Sequence, residues 1–145
     1  MTEAKRIAII GGSGSGKTTL TTNLARELKL PVMHIDGAYT STLEERVKVA
    51  DFVIYLDYSS LAQVKGVLQR YLKNPGKEKP EIPGCKEKMS WEFLKWVWNW
   101  RKSKREKVLN AINQVDSSKV FIFKNRRALN KWYYKNFKYK MKINF

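Results

Sequence analysis

The sequence has a single cysteine, Cys85, and a single histidine, His34. One cysteine excludes an internal disulfide framework, and the two residues together are too few for a zinc site built from cysteine and histidine. No apolar run approaches the roughly 18 residues of a membrane-spanning helix, and the first residues lack a signal-peptide pattern. We therefore expect a cytoplasmic protein without a transmembrane span.

Acidic residues are scarce beyond residue 60, where the chain has six acidic and 22 basic residues. Residues 1–60 carry seven of each sign, so the second part of the chain holds the whole net charge of +16. Such a field favours polyanionic partners: nucleoside phosphates, nucleic acid or an acidic membrane surface. Composition does not choose among the three.

Short apolar runs alternate with segments of helical periodicity along the chain. The runs predict strands at 6–10, 32–35, 52–56 and 120–123. Apolar spacing and capping boxes predict helices at 16–29, 42–49, 60–72, 90–101, 104–115 and 127–137. This alternation predicts one α/β domain over residues 1–145, with a three-layer arrangement of a parallel sheet between helices.

Two segments fall outside this alternation. Residues 74–89 hold three of the four prolines, two glycines and several lysines, which predicts a basic loop or flap. The basic and aromatic tail, 138–145, is expected to fray. Four tryptophans lie within residues 91–100, on two sides of a predicted helix. A helix that is apolar on two sides is usually packed on two sides, so core packing is favoured over stacking on bases.

The most specific motif lies between the first predicted strand and the first predicted helix. It matches G-x-x-x-x-G-K-[ST] and consists of Gly11, Gly12, Ser13, Gly14, Ser15, Gly16, Lys17 and Thr18, with Thr19 following. Glycines let backbone N–H groups curl around phosphate oxygens, and the helix directs its positive end at them. Lys17 would reach the β- and γ-phosphates of ATP, and Thr18 would offer its hydroxyl to Mg²⁺. The alternative is a glycine-rich turn with a chance lysine.

Two aspartates end predicted strands at the edge where open α/β sheets bind ligands. Asp57 is a candidate ligand for Mg²⁺ or its waters, and the alternative is a helix cap before Ser60. Asp36 could bind metal or act as a base toward an acceptor hydroxyl, and the alternative is a turn residue before Gly37.

Arginines and lysines around the predicted flap could surround a phosphoryl group during its transfer. Arg70 ends the helix that leads into the flap, and Arg101 and Arg105 follow the flap. Guanidinium groups suit phosphate geometry better than single ammonium groups do, so a functional role is favoured for these three arginines. For each single lysine a solvated basic surface is favoured, and the same interpretation is the alternative for the arginines.

Together these residues resemble the P-loop kinase-like family of DNA topology modulation proteins, which is related to adenylate kinases in fold. The resemblance reaches to about residue 137 and rests on IGGSGSGKTTL at 10–20, PVMHID at 31–36, DGAYTSTLEERVKVADFVIYLD at 36–57 and GCKEKMSWEFLKWVWNW at 84–100. It implies that Gly11 to Thr18 bind nucleotide phosphates, that Arg70 and the following loop form a basic lid, and that Lys124 and Arg126 lie near the adenine.

The resemblance also has departures. Relatives carry a longer stretch after the H-x-D strand, where nucleotide kinases hold the acceptor, whereas His34-Ile-Asp36 here runs directly into Gly37. Either the protein lacks that stretch or a segment is missing from the sequence. The flap has Lys77 and Lys79 where relatives favour an arginine before the proline.

The expected function is phosphoryl transfer from ATP to a small acceptor such as a nucleotide. The alternatives are a nucleic-acid-binding regulator that binds nucleotide without turnover, and an ATPase without an acceptor.

Overall fold

The described residues of a computed structural model of the chain are 4–31, 40–73 and 90–137. In chain order the elements are β1 (Ile7–Gly11), α1 (Lys17–Leu28), α2 (Thr40–Val49), β2 (Phe52–Leu56), α3 (Ser60–Lys73), α4 (Trp91–Asn113), a 3-10 turn (Ser117–Lys119), β3 (Val120–Phe123) and α5 (Arg126–Phe137). The predicted strand at 32–35, Asp36, the predicted flap and the predicted tail lie outside the described residues.

The three strands form a parallel sheet with β2 in the centre. At the carboxyl edge of the sheet, Leu56 of β2 lies beside Gly11 of β1 and Phe123 of β3. At the opposite edge, the Asp51 carboxylate accepts the backbone N–H groups of Lys5 and Arg6, at 2.8 and 2.9 Å. These hydrogen bonds hold the pKa of Asp51 below its usual value and tie β1 to the start of β2.

Alternate residues of β2 face two separate cores because side chains of a strand point to opposite faces in turn. Ile54 and Leu56 pack in a cluster with buried residues of α1, β3 and α5, which are Leu20, Leu24, Phe123, Leu129 and Tyr133. Val53 and Tyr55 pack in a second cluster with residues of or next to α2 and α4, which are Val47, Ala50, Val108 and Ile112. The predicted α/β class, with a parallel sheet flanked by helices on both faces, is therefore confirmed.

One long helix, α4, replaces the two helices predicted at 90–101 and 104–115, so that prediction was wrong. The Ser90 hydroxyl caps its first turn by accepting the Phe93 N–H at 3.1 Å. No glycine or proline interrupts the segment from Trp100 to Lys107. The polar run Arg101-Lys-Ser-Lys-Arg105 continues the helix, because polar residues are compatible with a helix interior.

The tryptophans of α4 are mostly exposed, and the predicted packing on two sides was wrong. Trp100 is buried, whereas Trp91, Trp96 and Trp98 are 80%, 48% and 51% exposed. The helix buries a single stripe, made of Val97, Trp100, Val108, Ala111 and Ile112. Val108 and Ile112 of this stripe pack with residues of the sheet, whereas the first turns of α4 lie beside α3, where the Ser60 hydroxyl donates to the Trp98 carbonyl oxygen at 2.8 Å. No helix among the described residues is long and apolar enough to cross a membrane.

The different burial of two isoleucines in the sheet predicts different losses of stability when each is replaced by alanine. Ile54 is fully buried between α1 and α5, whereas Ile122 on β3 is 43% exposed. We expect Ile54→Ala to lower the free energy of unfolding by about 2–5 kcal/mol, through lost burial and a residual cavity. Ile122→Ala, the matched control, should cost about 1 kcal/mol or less. Urea unfolding of both variants measures the difference, and equal losses would contradict the described core.

Candidate functional site

The glycine loop, Gly11–Thr18, joins the end of β1 to the start of α1. Gly14 and Gly16 have φ angles of 74° and 85°, in the left-handed region that side chains with a Cβ rarely adopt. The Ser15 hydroxyl and backbone N–H both donate to the Gly12 carbonyl oxygen, at 2.6 and 3.3 Å. These contacts close the loop into a tight turn that leads directly into α1.

The loop lies directly against α3. A Cβ atom on Gly66 would overlap the Gly14 carbonyl, and one on Gly14 would overlap the backbone of α3. A Cβ on Gly12 would overlap the buried Gln63 amide, whose nitrogen donates to the Tyr58 carbonyl at 3.0 Å. Sequence reasoning missed Gln63 and Gly66. The available signal was Gly66 itself, because a glycine inside a helix lowers helix stability and often marks a close approach of two segments.

Lys17 folds back over the glycine loop. Its ammonium donates to the carbonyl oxygens of Gly11 and Gly12, at 2.7 and 3.0 Å. Thr18 and Thr19 follow in the first turn of α1 and are half-buried. The first N–H groups of a helix have no partner within the helix and carry a partial positive charge, so this end of α1 adds to the Lys17 charge.

Asp57 directly follows β2 and is nearly fully buried, at 3% exposure. The Arg105 Nε donates to both carboxylate oxygens at 3.1 Å, and the Arg101 Nε lies 3.3 Å from one of them. The Tyr55 hydroxyl donates to the same carboxylate at 3.2 Å. Burial, and then the Asp57 charge, raise the pKa of Tyr55 well above its usual value, so the hydroxyl stays a donor at neutral pH.

The strand register brings most of the predicted site residues to one edge of the sheet. Gly11, Leu56 and Phe123 lie side by side at the ends of the three strands. The next residue of each strand therefore leaves the sheet at the same edge. These next residues are Gly12, Asp57 and Lys124. Neighbouring strands are about 4.8 Å apart, so these three backbone positions are close. The glycine loop, Asp57 and Lys124 therefore share one end of the fold.

Two further predicted arginines lie near the loop. A Cβ atom on Gly16 would be 3.7 Å from the Arg126 Nη2, so this guanidinium lies next to the N-terminus of α1. Burial raises the pKa of Tyr58 to about 12, and the Arg126 guanidinium nearby opposes that rise. Arg70 lies one turn beyond Gly66, on the side of α3 that supports the loop. Asp36 is the predicted site residue that lies outside the described ranges.

The described part of the chain contains no group of three or more His, Cys, Asp and Glu side chains that could hold a metal ion. Two predicted ligands at this edge bear oxygen, the Thr18 hydroxyl and the Asp57 carboxylate. Such a set suits Mg²⁺, which prefers oxygen, keeps several waters and is commonly held by one or two carboxylates with substrate phosphates. Asp57 already pairs with two guanidinium groups, so binding of a cation there requires at least one of them to move.

Comparisons with known proteins returned no match: no protein-family model, no curated protein and no solved structure is similar to this chain. The resemblance to DNA topology modulation proteins therefore stays a prediction from the sequence.

The contact between Gly66 and Gly14 predicts an unusual response to alanine. Gly66→Ala would normally stabilise a helix by about 1 kcal/mol. Here the added methyl group overlaps the Gly14 carbonyl, so we expect a lower unfolding midpoint and a displaced glycine loop. Gln69→Ala, an exposed change on α3, is the control. Thermal unfolding measures both variants, and a stabilised Gly66→Ala protein would contradict the contact.

Proposed function

We propose that the chain binds a nucleoside triphosphate with Mg²⁺ at the glycine loop and transfers the terminal phosphoryl group to a small acceptor, such as a nucleotide. The main support for the proposal is the geometry of the glycine loop. Two left-handed glycines turn the backbone from β1 into α1, and the Lys17 ammonium lies against the carbonyls of the same turn. A strand, a glycine-rich turn and a helix in this order form the arrangement that the G-x-x-x-x-G-K-[ST] motif requires.

Phosphate binding would use groups that are already in place. The N–H groups at the start of α1 provide donors and a partial positive charge for an anion. Lys17 would exchange its two carbonyl partners for phosphate oxygens, because a hydrogen bond between two charged groups is stronger than one to a neutral carbonyl. The contacts of Gly12 and Gly14 with α3 keep the loop backbone in place during this exchange.

Asp57 and the two arginines of α4 would act together. The Asp57 carboxylate and the Thr18 hydroxyl would hold Mg²⁺, which neutralises charge on the phosphates when bound. Arg101 and Arg105 would then leave Asp57 and turn toward the phosphoryl group, where cations stabilise the charge that develops during transfer. Both arginine side chains are more than one-third exposed, so they have room to move.

Further cations surround the same edge of the sheet. Arg126 lies beside Gly16, Lys124 follows β3, and Arg70 lies on the face of α3 that supports the loop. Cations on several sides can neutralise the phosphate oxygens without a covalent intermediate, and positioning with charge stabilisation accounts for most catalysis of phosphoryl transfer. Lys17, Asp57 and Arg70 are the proposed catalytic residues of the described part, and Asp36 remains the expected residue near the acceptor.

A nucleic-acid-binding regulator that binds nucleotide without turnover is the second candidate. The observation that favours it is the uneven charge, since all of the +16 lies beyond residue 60. The two candidates differ in turnover. A phosphotransferase converts ATP to ADP in proportion to the acceptor supplied, whereas the regulator binds ATP and leaves it intact. A panel of nucleoside monophosphates as acceptors separates the two by the ADP that is released.

The first test of the proposal is removal of the Lys17 charge. We expect Lys17→Ala to weaken ATP–Mg²⁺ binding roughly ten- to hundredfold, because a charged hydrogen bond is worth about 1.5–3 kcal/mol. The variant should also lose turnover and keep its circular dichroism spectrum. The control is Lys48→Ala, an exposed lysine at the end of α2. Isothermal titration calorimetry measures both affinities. Equal affinity in Lys17→Ala and the parent would remove the glycine loop as the nucleotide site.

A further inference from the structure

The exposed side of α4 alternates tryptophan with lysine. Trp91, Lys95, Trp98 and Lys102 follow one another at helical spacing. At about 100° per residue, these four positions fall within about 60° on one side of the helix. All four side chains are exposed, with Trp91 at 80% and Trp98 at 51%. We call these four residues the Trp–Lys stripe.

The Trp–Lys stripe has no role in the described core. The buried residues of α4 lie on another side of the helix, and Val108 and Ile112 among them pack with residues of the sheet. An exposed helix side needs no tryptophan for stability, and large exposed aromatic groups often mark a binding surface. Trp91 and Trp98 are also not part of the glycine loop or of the Asp57 cluster, which consists of Asp57 and its partners Tyr55, Arg101 and Arg105.

We propose that the Trp–Lys stripe binds single-stranded nucleic acid. The faces of Trp91 and Trp98 would stack on bases, and the ammonium groups of Lys95 and Lys102 would pair with phosphates. Stacking on an aromatic ring accepts every base, since every base has a π-face. The two tryptophans are about 10.5 Å apart along the helix axis, at 1.5 Å per residue.

The surrounding charge supports a polyanionic partner. Residues 90–137 carry 12 basic and three acidic side chains. Such a local excess attracts a nucleic acid strand over a distance and raises the rate of association at low salt. The charge alone would serve many anions, whereas the alternation of aromatic and cationic groups matches the alternation of bases and phosphates.

The stripe favours a single strand over a duplex or a membrane. In a duplex the bases stack on one another, so their faces are not available to tryptophan. A helix that lies in a membrane surface needs a continuous apolar face with its charges on the other side. Here Lys95 and Lys102 lie on the same line as the tryptophans, and Glu92 and Asn99 lie beside it.

Fluorescence anisotropy of a labelled oligothymidylate of about 20 nucleotides tests the proposal with the full chain, since single-strand sites span roughly 4–16 nucleotides. We expect the double variant Trp91→Ala/Trp98→Ala to weaken binding at least roughly tenfold. The matched control is Trp96→Ala, which removes a tryptophan that is 48% exposed but lies about 140° from Trp91 around the helix. The control should change affinity less than about twofold if stacking is confined to the stripe.

Salt dependence tests the two lysines. Each phosphate contact with a single strand contributes about 0.7 to the slope of log K against log salt concentration. We expect Lys95→Ala/Lys102→Ala to lower that slope by about 1.4. The exposed pair Lys107→Ala/Lys135→Ala has the same charge change away from the stripe and should leave the slope unchanged.

Two comparison ligands and a titration with ATP complete the design. Tighter binding to a hairpin duplex, or equal weakening by stripe and control variants, would overturn the proposal. A different result would assign the surface to a membrane. In that case the parent binds anionic phospholipid vesicles but no single strand, and the stripe variant loses the vesicle binding. Calorimetry with ATP should show unchanged nucleotide affinity in the stripe variants. Failure of the nucleotide site and failure of the stripe are thus separate results.

Discussion

The parallel pairing of β2 with both of its neighbours determines where the functional groups of this protein lie. Leu56 pairs with Gly11 on one side and with Phe123 on the other, so three strands end in line. The next residue of each strand enters a loop at the same edge of the sheet. The glycine loop, Asp57 and Lys124 share this edge for that reason alone, although they come from distant parts of the sequence.

Close packing keeps this edge in a defined conformation. The glycine loop lies so near α3 that Gly12, Gly14 and Gly66 leave no room for a Cβ atom. Asp57 is buried beneath Arg101 and Arg105. A buried carboxylate needs such partners because an unpaired charge in the interior is costly. The same pairing holds two guanidinium groups at the edge of the sheet that carries the glycine loop, where the proposed phosphate chemistry would use them.

Local patterns in the sequence predicted the class of fold and the strands β2 and β3, because apolar runs and turn residues report local structure. They also located the glycine loop, whose motif is contiguous. The pairing of Asp57 with Arg101 and Arg105 depends on the packing of α4, which lies more than 40 residues further along the chain. No local sequence pattern indicates this pairing. The support of the loop by Gln63 and the exposure of Trp91 and Trp98 depend on tertiary packing in the same way. The two helices predicted at 90–101 and 104–115 are one helix, because the charged residues between them are compatible with a helix interior.

The glycine loop and the Asp57 cluster should respond together to a nucleotide. Nuclear magnetic resonance of nitrogen-15-labelled protein during a titration with ATP and Mg²⁺ tests it most directly. We expect the largest shifts at the backbone amides of Gly12 to Thr18 and at the Arg101 and Arg105 Nε groups, and hardly any shift at the indole N–H groups of Trp91 and Trp98. Shifts confined to other parts of the chain, or no shifts at saturating nucleotide, would contradict it.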